Sequence, residues 1–473
     1  MTNAFPSHIF RGYDLRGIVG KELTDEFVSD LAKGYATWLL QRRIFDCVFG
    51  YDCRLSSEHF RDIMVKELTD SGITVYDIGL TLTQIVYFAG YYFRTRGAIM
   101  ITASHNPKEY NGMKLGVGFS ETMITEEILQ YRDLVQSKKF VTRSPKGQHI
   151  QKDIFQDYVI DLLRHIEPIK KKFKIVVDSC AGTTGIFIPE LLRKVGCEVI
   201  EQNTKPDGNF PVGTPDPTER DVQERLAKRV KEEHADIGFS YDADGDRLGV
   251  VDNNGGLLWN DVLVSIFAKD VLEYLPGSKI IYNTLCSKQA DEVIRTAGGI
   301  PIIWKTGHSF IKAKVREERA AFGGELSGHF FFVDNFYGHD DGAIASLRIL
   351  SYLDRHNTTL SDVIASLPQY VSSPEIKVGC PDAVKFDIVS KRIDAEMKKI
   401  YPDATYITID GVRMDTKEEM MIVRASQNGP YLTVKFEGKT QEAYDKLKQQ
   451  VSIILHGIPE IDFKSGTNTT ALD

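Results

Sequence analysis

The sequence predicts an α/β protein built from several domains, and three observations carry that expectation. Apolar runs with strand spacing alternate with amphipathic helical stretches, a rhythm that implies mixed sheets covered by helices. The cycle breaks off at turn-rich stretches and then restarts, so any repetition is architectural and no low-complexity tract interrupts it. At 473 residues the chain far exceeds one ordinary core, and about three or four domains are expected.

In order along the chain, Phe27 to Leu40 has helical spacing and Val48-Phe49-Gly50-Tyr51 that of a strand. Glu58 to Ser71 reads as a helix, Ile73 to Ile78 as a strand, and Gly97-Ala98-Ile99-Met100-Ile101 as a buried strand. The turn-rich stretch 142–153, with Ser144-Pro145-Lys146-Gly147, marks a first boundary near 150. Lys174 to Asp178 opens a second strand-helix cycle, with a helix around Ile188 to Val195 and strands at Ile237 to Ser240 and Leu248 to Val251. Gly255-Gly256 marks a second boundary, after which Val262 to Leu272 reads as a helix and Lys279 to Tyr282 as a strand. The stretch Leu367-Pro368 to Ser373-Pro374 marks a third, before a shorter terminal unit with strands at Met420 to Val423 and Tyr431 to Val434. The expected domains are therefore 1–150, 151–256, 257–370 and 371–473, with a loose tail at Ser465 to Thr470.

Composition narrows the function classes. With 42% hydrophobic and 26% charged residues the chain can bury several cores and shows no wholesale disorder. A net charge of -8 argues against a nucleic-acid partner. It leaves room for a small anion, because local Arg and Lys groups can focus positive potential inside an acidic exterior. The start, Met1 to Pro6, lacks a charged region followed by an apolar core, and no apolar run approaches the roughly 18 residues of a membrane helix. A soluble cytoplasmic protein with no membrane partner is expected. Cys47, Cys53, Cys180, Cys197, Cys286 and Cys380 form no CxxC pair, so reduced thiols are expected in place of zinc or disulfides.

Four short segments carry chemistry. Thr102-Ala103-Ser104-His105-Asn106-Pro107 puts a hydroxyl nucleophile on a polar segment directly after a strand; the plain alternative is a solvated turn. Asp242-Ala243-Asp244-Gly245-Asp246-Arg247 sets three carboxylates at alternate positions between two apolar strands. Such hard oxygens suit Mg²⁺, and Gly245 frees the backbone to fold them toward one ion. A calcium loop would need Gly at Arg247 and Glu at Asn253, so that reading fails, and an acidic turn is the remaining alternative. Gly323-Gly324-Glu325-Leu326-Ser327-Gly328-His329 offers Glu325, Ser327 and His329 on one face if extended. Those groups suit sugar hydroxyls, against a polar hairpin turn before Phe330-Phe331-Phe332.

The fourth segment, Arg424-Ala425-Ser426-Gln427-Asn428-Gly429-Pro430, lies between two strands with an Arg at its mouth. Arg can grip phosphate in a fork while Ser426, Asn428 and backbone N–H groups add bonds, although isolated surface Arg loops are common. Arg11-Gly12-Tyr13-Asp14-Leu15-Arg16-Gly17 and Lys305-Thr306-Gly307-His308-Ser309 are weaker basic sets, each readable as a surface turn. Ala181-Gly182-Thr183-Thr184-Gly185 lacks the P-loop Lys and GxGxxG, so a tight strand-to-helix turn is favoured there.

Together these segments resemble the α-D-phosphohexomutase family, most closely its phosphomannomutase/phosphoglucomutase branch, over nearly the whole chain. The Ser104 segment looks like the family's phosphoserine loop, Asp242 to Arg247 like its metal loop, Gly324 to His329 like its sugar-recognition loop, and Arg424 to Pro430 like its phosphate loop. The resemblance implies three related mixed α/β domains and a smaller C-terminal α+β domain around a central cleft, with one motif from each. It implies a hexose 1-phosphate to hexose 6-phosphate isomerase acting on mannose or glucose, as a monomer or dimer, with a bound hexose 1,6-bisphosphate as intermediate and activator. Phosphoserine at Ser104 would transfer its phosphoryl group, with Mg²⁺ held by Asp242, Asp244, Asp246 and a phosphoserine oxygen, and Arg247 offsetting charge.

By the same resemblance Lys114 is the candidate general base, its pKa lowered by neighbouring cations. Arg16 and His329 would assist as acid or base, and Tyr13, Arg16, Lys305, His308, Glu325, Ser327 and His329 would bind substrate. Arg424, Ser426, Gln427 and Asn428 would hold the phosphate that is not reacting. The chain departs from its branch at Gln427 and Asn428, where Asn then Thr are usual. A phosphoglucosamine mutase is the nearer alternative, opposed by Leu326 and by the lack of Ser-Gly-Thr-Glu-Pro. A phosphatase using the same Ser and metal, or a binder without turnover, are the more distant ones.

Overall fold

The computed structural model describes residues 5–427 and 429–473. These form two compact units, one of residues up to Asn260 together with Ser327–Val363, the other of Asp261–Leu326 together with Ile364–Asp473.

The first unit opens on a sheet made of β1 (Leu15–Ile18), β2 (Asp46–Tyr51), β3 (Thr74–Leu80), β4 (Gly97–Ile101), β5 (Tyr110–Gly118), β6 (Glu121–Thr122) and β7 (His149–Gln151). Its order is β1-β5-β4-β2-β3-β7, with β6 on β5. β2 runs parallel to β3 and β4, whereas β5 runs antiparallel to both β4 and β1. The helix Asp25–Gln41 covers this sheet because its sequence signals agree. The Thr24 hydroxyl caps the amide of Phe27, Asp25 and Glu26 sit at the positive helix end, and Val28, Leu31, Ala32, Tyr35 and Leu39 form the buried stripe. Register places Arg16 on β1 opposite Gly112 and Met100 on β4 opposite Lys114. The strand that ends in the Ser104 segment therefore lies beside the strand that carries Lys114.

The turn-rich 142–153 stretch ends as β7, parallel to β3 at the edge of this first sheet. A second sheet follows, of β8 (Lys174–Asp178), β9 (Glu198–Gln202), β10 (Ile237–Tyr241) and β11 (Leu248–Val251), in the order β11-β10-β8-β9. Every residue of β10 and β11 is buried, and the two strands pair antiparallel, so the 242–247 loop is the turn between them. The Gly182–Gly185 stretch leads into the helix Thr184–Lys194, as a tight strand-to-helix turn should. The unit closes with the helix Gly342–Arg355, whose first amides, those of Ala343 and Ile344, donate to the Asp341 carboxylate.

The second unit holds β12 (Lys279–Asn283) between β13 (Ile300–Trp304) and β14 (Phe322–Gly324), all parallel. Here β15 (Phe330–Phe332) belongs to the first unit, so numbering resumes with β16 (Val371–Ser372), β17 (Ile376–Gly379), β18 (Thr405–Ile407), β19 (Val412–Asp415), β20 (Glu419–Ala425), β21 (Tyr431–Gly438) and β22 (Asp462–Thr467). These form an antiparallel sheet in the order β18-β19-β20-β21-β17-β22, with β16 on β21 and the helix Gln441–His456 against it. Three α/β/α portions and a C-terminal α+β portion are thus present.

Two expectations change. The tail is not loose: β22 pairs with β17 and Leu472 is buried in the C-terminal core. Residues 325–329 are not extended, since the backbone turns there between β14 and β15, with Gly328 at a φ of +90°. Glu325 and His329 are also buried, not accessible.

Candidate active site

Ser104 leaves the end of β4 with a φ of +47°, a left-handed conformation that costs a serine about 1–2 kcal/mol. Surrounding bonds hold it there. Its amide donates to Thr102 Oγ1 at 2.8 Å, and its Oγ donates to Asp242 Oδ2 at 2.6 Å. The carbonyls of the loop converge on a single side chain that sequence reasoning missed, Arg54. Its Nη2 donates to the carbonyls of Ser104 at 2.7 Å and Asn106 at 2.6 Å, and its Nη1 to those of Pro107 at 2.9 Å and Tyr110 at 3.0 Å. Asp52 completes the clamp, 3.2 Å from Arg54 Nε. The signal for it was present: Asp52-Cys53-Arg54 follows the apolar β2 just as the Ser104 segment follows β4.

Asp242, Asp244 and Asp246 are buried and each offers an oxygen within 4.8 Å of the others. Gly245, at a φ of +83°, makes the fold of this loop affordable. The amides of Gly245 and Arg247 donate to Asp242 Oδ1 at 3.0 and 3.2 Å. Thr83 Oγ1, at the start of the helix Thr83–Phe93, donates to Asp244 Oδ2 at 2.6 Å. Among the described residues, Asp244 Oδ1 and Asp246 Oδ1 have no hydrogen-bond partner. Buried carboxylate oxygens left without a donor are costly, and a cluster of hard oxygens suits a divalent cation such as Mg²⁺. Burial, then the charges of Asp244 and Asp246, push the Asp242 carboxyl well above its ordinary range.

Lys114 corrects an expectation. Its ammonium donates to Asp244 Oδ2 at 2.7 Å and also bonds Asp246 Oδ2. Burial alone would lower its pKa, but Asp244, Asp246 and Asp340 outweigh burial and drive it up. Its neighbours are mostly carboxylates, not the cations that the sequence reading invoked, so in this state Lys114 is a firmly protonated cation.

Arg247 reaches across the same group. Its Nε donates to His329 Nε2 at 3.0 Å, and its Nη1 lies 3.3 Å from Asp216 Oδ2. That bond leaves the imidazole proton on Nδ1, 3.2 Å from Asp340 Oδ2. Arg16 is held by Asp14, with Nε at 2.9 Å, while Tyr13 is half-buried in the turn before β1. The first unit thus gathers Ser104, Lys114, Arg16, Arg247, His329 and the three carboxylates, together with Ser327 and Tyr13. Asp216 and Asp340 had no readable pattern of their own.

The second unit gathers the other candidates. Glu325 Oε1 accepts from the amide of Gly307 at 2.7 Å, fixing the Lys305–Ser309 turn, and His308 is buried at the start of the helix His308–Glu318. Lys305 Nζ lies 4.0 Å from the centre of the Phe310 ring. Arg424 Nε donates to Asp410 Oδ2 at 2.8 Å, Ser426 is buried and Gln427 is exposed. Asn428 lies outside the described residues.

A hydroxyl on a strained turn, buried carboxylates fit for a metal, and repeated α/β portions fit a metal-assisted enzyme of phosphate transfer. Comparison with known proteins specifies it. Profiles of the phosphoglucomutase/phosphomannomutase α/β/α domains I, II and III match residues 7–140, 155–256 and 259–370. A phosphomannomutase/phosphoglucomutase of Pseudomonas aeruginosa is 36% identical over 444 residues, covering 94% of each chain. A phosphoglucomutase of Neisseria gonorrhoeae is 35% identical over 454 residues, 96% of this chain and 98% of that one. The crystal structure of a phosphoglucomutase/phosphomannomutase family protein from Burkholderia thailandensis superposes with a TM-score of 0.86 at 31% identity, covering 96% and 98% of the two chains. The chain belongs to the phosphoglucomutase/phosphomannomutase family of α-D-phosphohexomutases. It is an isomerase that works as an intramolecular phosphotransferase. Among the described residues no helix is long and apolar enough to cross a membrane.

Proposed function

We propose that this enzyme interconverts the 1- and 6-phosphates of mannose and glucose with Ser104 as phosphoryl carrier. The observation that carries the reading is the 2.6 Å bond between Ser104 Oγ and Asp242 inside the buried carboxylate group. Phosphoserine at Ser104 gives its phosphoryl group to O6 of a hexose 1-phosphate: the P–O bond to Oγ breaks and a bond to O6 forms, leaving a hexose 1,6-bisphosphate. The bisphosphate turns over, and Ser104 recovers the phosphoryl group from O1. Mg²⁺ held by Asp242, Asp244 and Asp246 would neutralise charge on the phosphoryl group and compete with Lys114 for two of those carboxylates.

Arg247 and Arg16 carry the positive charge that offsets the moving phosphoryl group. Lys114 Nζ is the group placed to exchange a proton with the sugar hydroxyl: as the ammonium it can donate one, and to accept one it must first give up a proton, which its pairing with Asp244 and Asp246 opposes. His329, oriented by Arg247 and Asp340, is the second group for proton transfer. Glu325, Ser327 and His308 would hold sugar hydroxyls, while Lys305, Arg424, Ser426, Gln427 and Asn428 would hold the phosphate that is not reacting.

A coupled assay on mannose 1-phosphate, glucose 1-phosphate and glucosamine 1-phosphate, with and without glucose 1,6-bisphosphate, tests the reading. Mannose and glucose phosphates should be converted with stimulation by the bisphosphate, and Ser104→Ala should lose turnover while binding substrate. Steady release of inorganic phosphate, or an active enzyme with no phosphate on it by intact mass, would overturn the mechanism.

A further inference from the structure

A single carboxylate in the second unit, on no segment that the sequence singles out, ties two candidate phosphate-binding segments together. Asp410 Oδ2 accepts from Arg424 Nε at 2.8 Å and from the backbone amide of Thr306 at 2.9 Å, with Thr284 Oγ1 at 3.4 Å. The side chain is 9% exposed. The approach is built into the backbone: Gly411, at a φ of +84°, faces Arg424, and a Cβ on it would lie 2.3 Å from the Val423 carbonyl oxygen and 2.6 Å from Arg424 Cα. Arg413, two residues further on, anchors the same turn. Its Nη1 donates to the carbonyls of Thr284 at 2.7 Å and Cys286 at 2.6 Å, and Asp415 takes its Nε at 2.9 Å.

The Arg side chain is long and flexible, and a bidentate grip on phosphate requires its guanidinium plane to be fixed beforehand. A carboxylate on Nε fixes that plane from one edge. The terminal edge then carries the pair of N–H groups that match a phosphate. Because the same oxygen accepts from Thr306 N, the Lys305–Ser309 turn is held in register with the Arg424 guanidinium.

We propose that Asp410 is a positioning residue that joins the Lys305–Ser309 turn to Arg424, so that the two present one pre-oriented edge to the substrate's non-reacting phosphate. The proposal rests on the reading of Arg424 as a phosphate ligand. Its signature is a KM effect at nearly constant kcat, because positioning of the distal phosphate leaves the Ser104 chemistry untouched once substrate is bound.

Steady-state kinetics on glucose 1-phosphate at saturating glucose 1,6-bisphosphate, for Asp410→Ala, Asp410→Asn, Arg424→Ala and the double variant D410A/R424A, provide the test. Asp410→Ala should raise KM roughly 10- to 100-fold with kcat within about threefold, the scale of a lost charge-assisted hydrogen bond. The isosteric Asp410→Asn, which keeps an acceptor oxygen and guards against a folding defect, should fall between it and wild type. In the Arg424→Ala background Asp410→Ala should raise KM by less than it does in wild type, since only its hold on the Lys305–Ser309 turn is left to lose. If Arg424→Ala raises KM while Asp410→Ala leaves it unchanged or lowers it, this proposal is overturned and the phosphate-loop reading stands. A fall would mark Asp410 as a competitor of phosphate. An unchanged KM for Arg424→Ala overturns the phosphate-loop reading and this proposal together.

Discussion

Ser104 owes its conformation to a cation 50 residues away in the chain, on the loop that follows the neighbouring strand β2. Four carbonyls of one short loop turned onto one buried guanidinium leave little freedom in how the serine is presented. Lysine has one point charge in place of a planar fork and cannot bridge the four. Arg54→Lys should therefore lower kcat on the order of 10- to 100-fold with little change in KM, because a small misplacement of the carrier weakens attack more than binding. Guanidinium ion added to Arg54→Ala should restore part of kcat; absence of rescue together with a raised KM would show that the clamp does not act on Ser104. Asp216 sets the pH behaviour at the same scale. Burial alone would raise its pKa, but Arg247, His105, and the amide and hydroxyl of Thr218 outweigh burial and hold it below 3.8. A depressed carboxyl stabilises the fold above its ordinary value, and that stability is lost as pH falls through the lower folded value. Asp216→Asn should cost about 3 kcal/mol in urea denaturation at pH 7, and the gap to wild type should narrow progressively as pH falls below 3.8 toward the lower folded value; a gap that does not narrow in acid would contradict it.

At the scale of elements, the hairpin turn between β10 and β11 concentrates three carboxylates, which Ser104, Lys114, Thr83 and two backbone amides meet. Without a divalent ion this turn holds buried carboxylate oxygens, Asp244 Oδ1 and Asp246 Oδ1, that have no hydrogen-bond donor among the described residues. Mg²⁺ should raise the melting temperature of the protein and EDTA should abolish turnover. Asp244→Asn should reduce the Mg²⁺-dependent shift without unfolding the chain, and a shift of wild-type size in that variant would remove Asp244 from the ligand set. The sequence made this element legible because its carboxylates stand at alternate positions within one short loop and its flanking strands are apolar runs. It did not reveal Thr83 or Lys114 as its neighbours, since those contacts are made across 161 and 130 residues. The sequence reading of 325–329 as an extended face failed for a related reason: alternate spacing does not distinguish a strand from a turn, and Gly328 takes a positive φ that turns the chain. The tail Ser465 to Thr470 misled in the opposite sense. Its small polar residues look like a frayed end, yet β17 offers an open edge and pairs with them as β22.

Across the whole molecule, two levels of information separate cleanly. Strand and helix order, the restarting α/β cycle, and the positions of Ser104, the Asp242 loop, His329 and Arg424 were all determined by local spacing. Each depends on the chemistry of a few consecutive residues, and such signals survive in a linear string. The family follows from their order. What only the tertiary structure decided is how those groups are partnered: Lys114 as an ammonium among carboxylates in place of the expected cations, Arg54 as the clamp on the serine loop, Asp340 beside His329, and Asp410 between Thr306 and Arg424. The two compact units each draw on separated stretches of chain, Ser327–Val363 in the first and Ile364–Asp473 in the second. The physical reason is that protonation state and orientation are set by the field of the nearest charges, and those charges arrive from strands and turns far apart in sequence. A residue's type tells which chemistry it can perform; the neighbours that folding brings to it decide which chemistry it is prepared for.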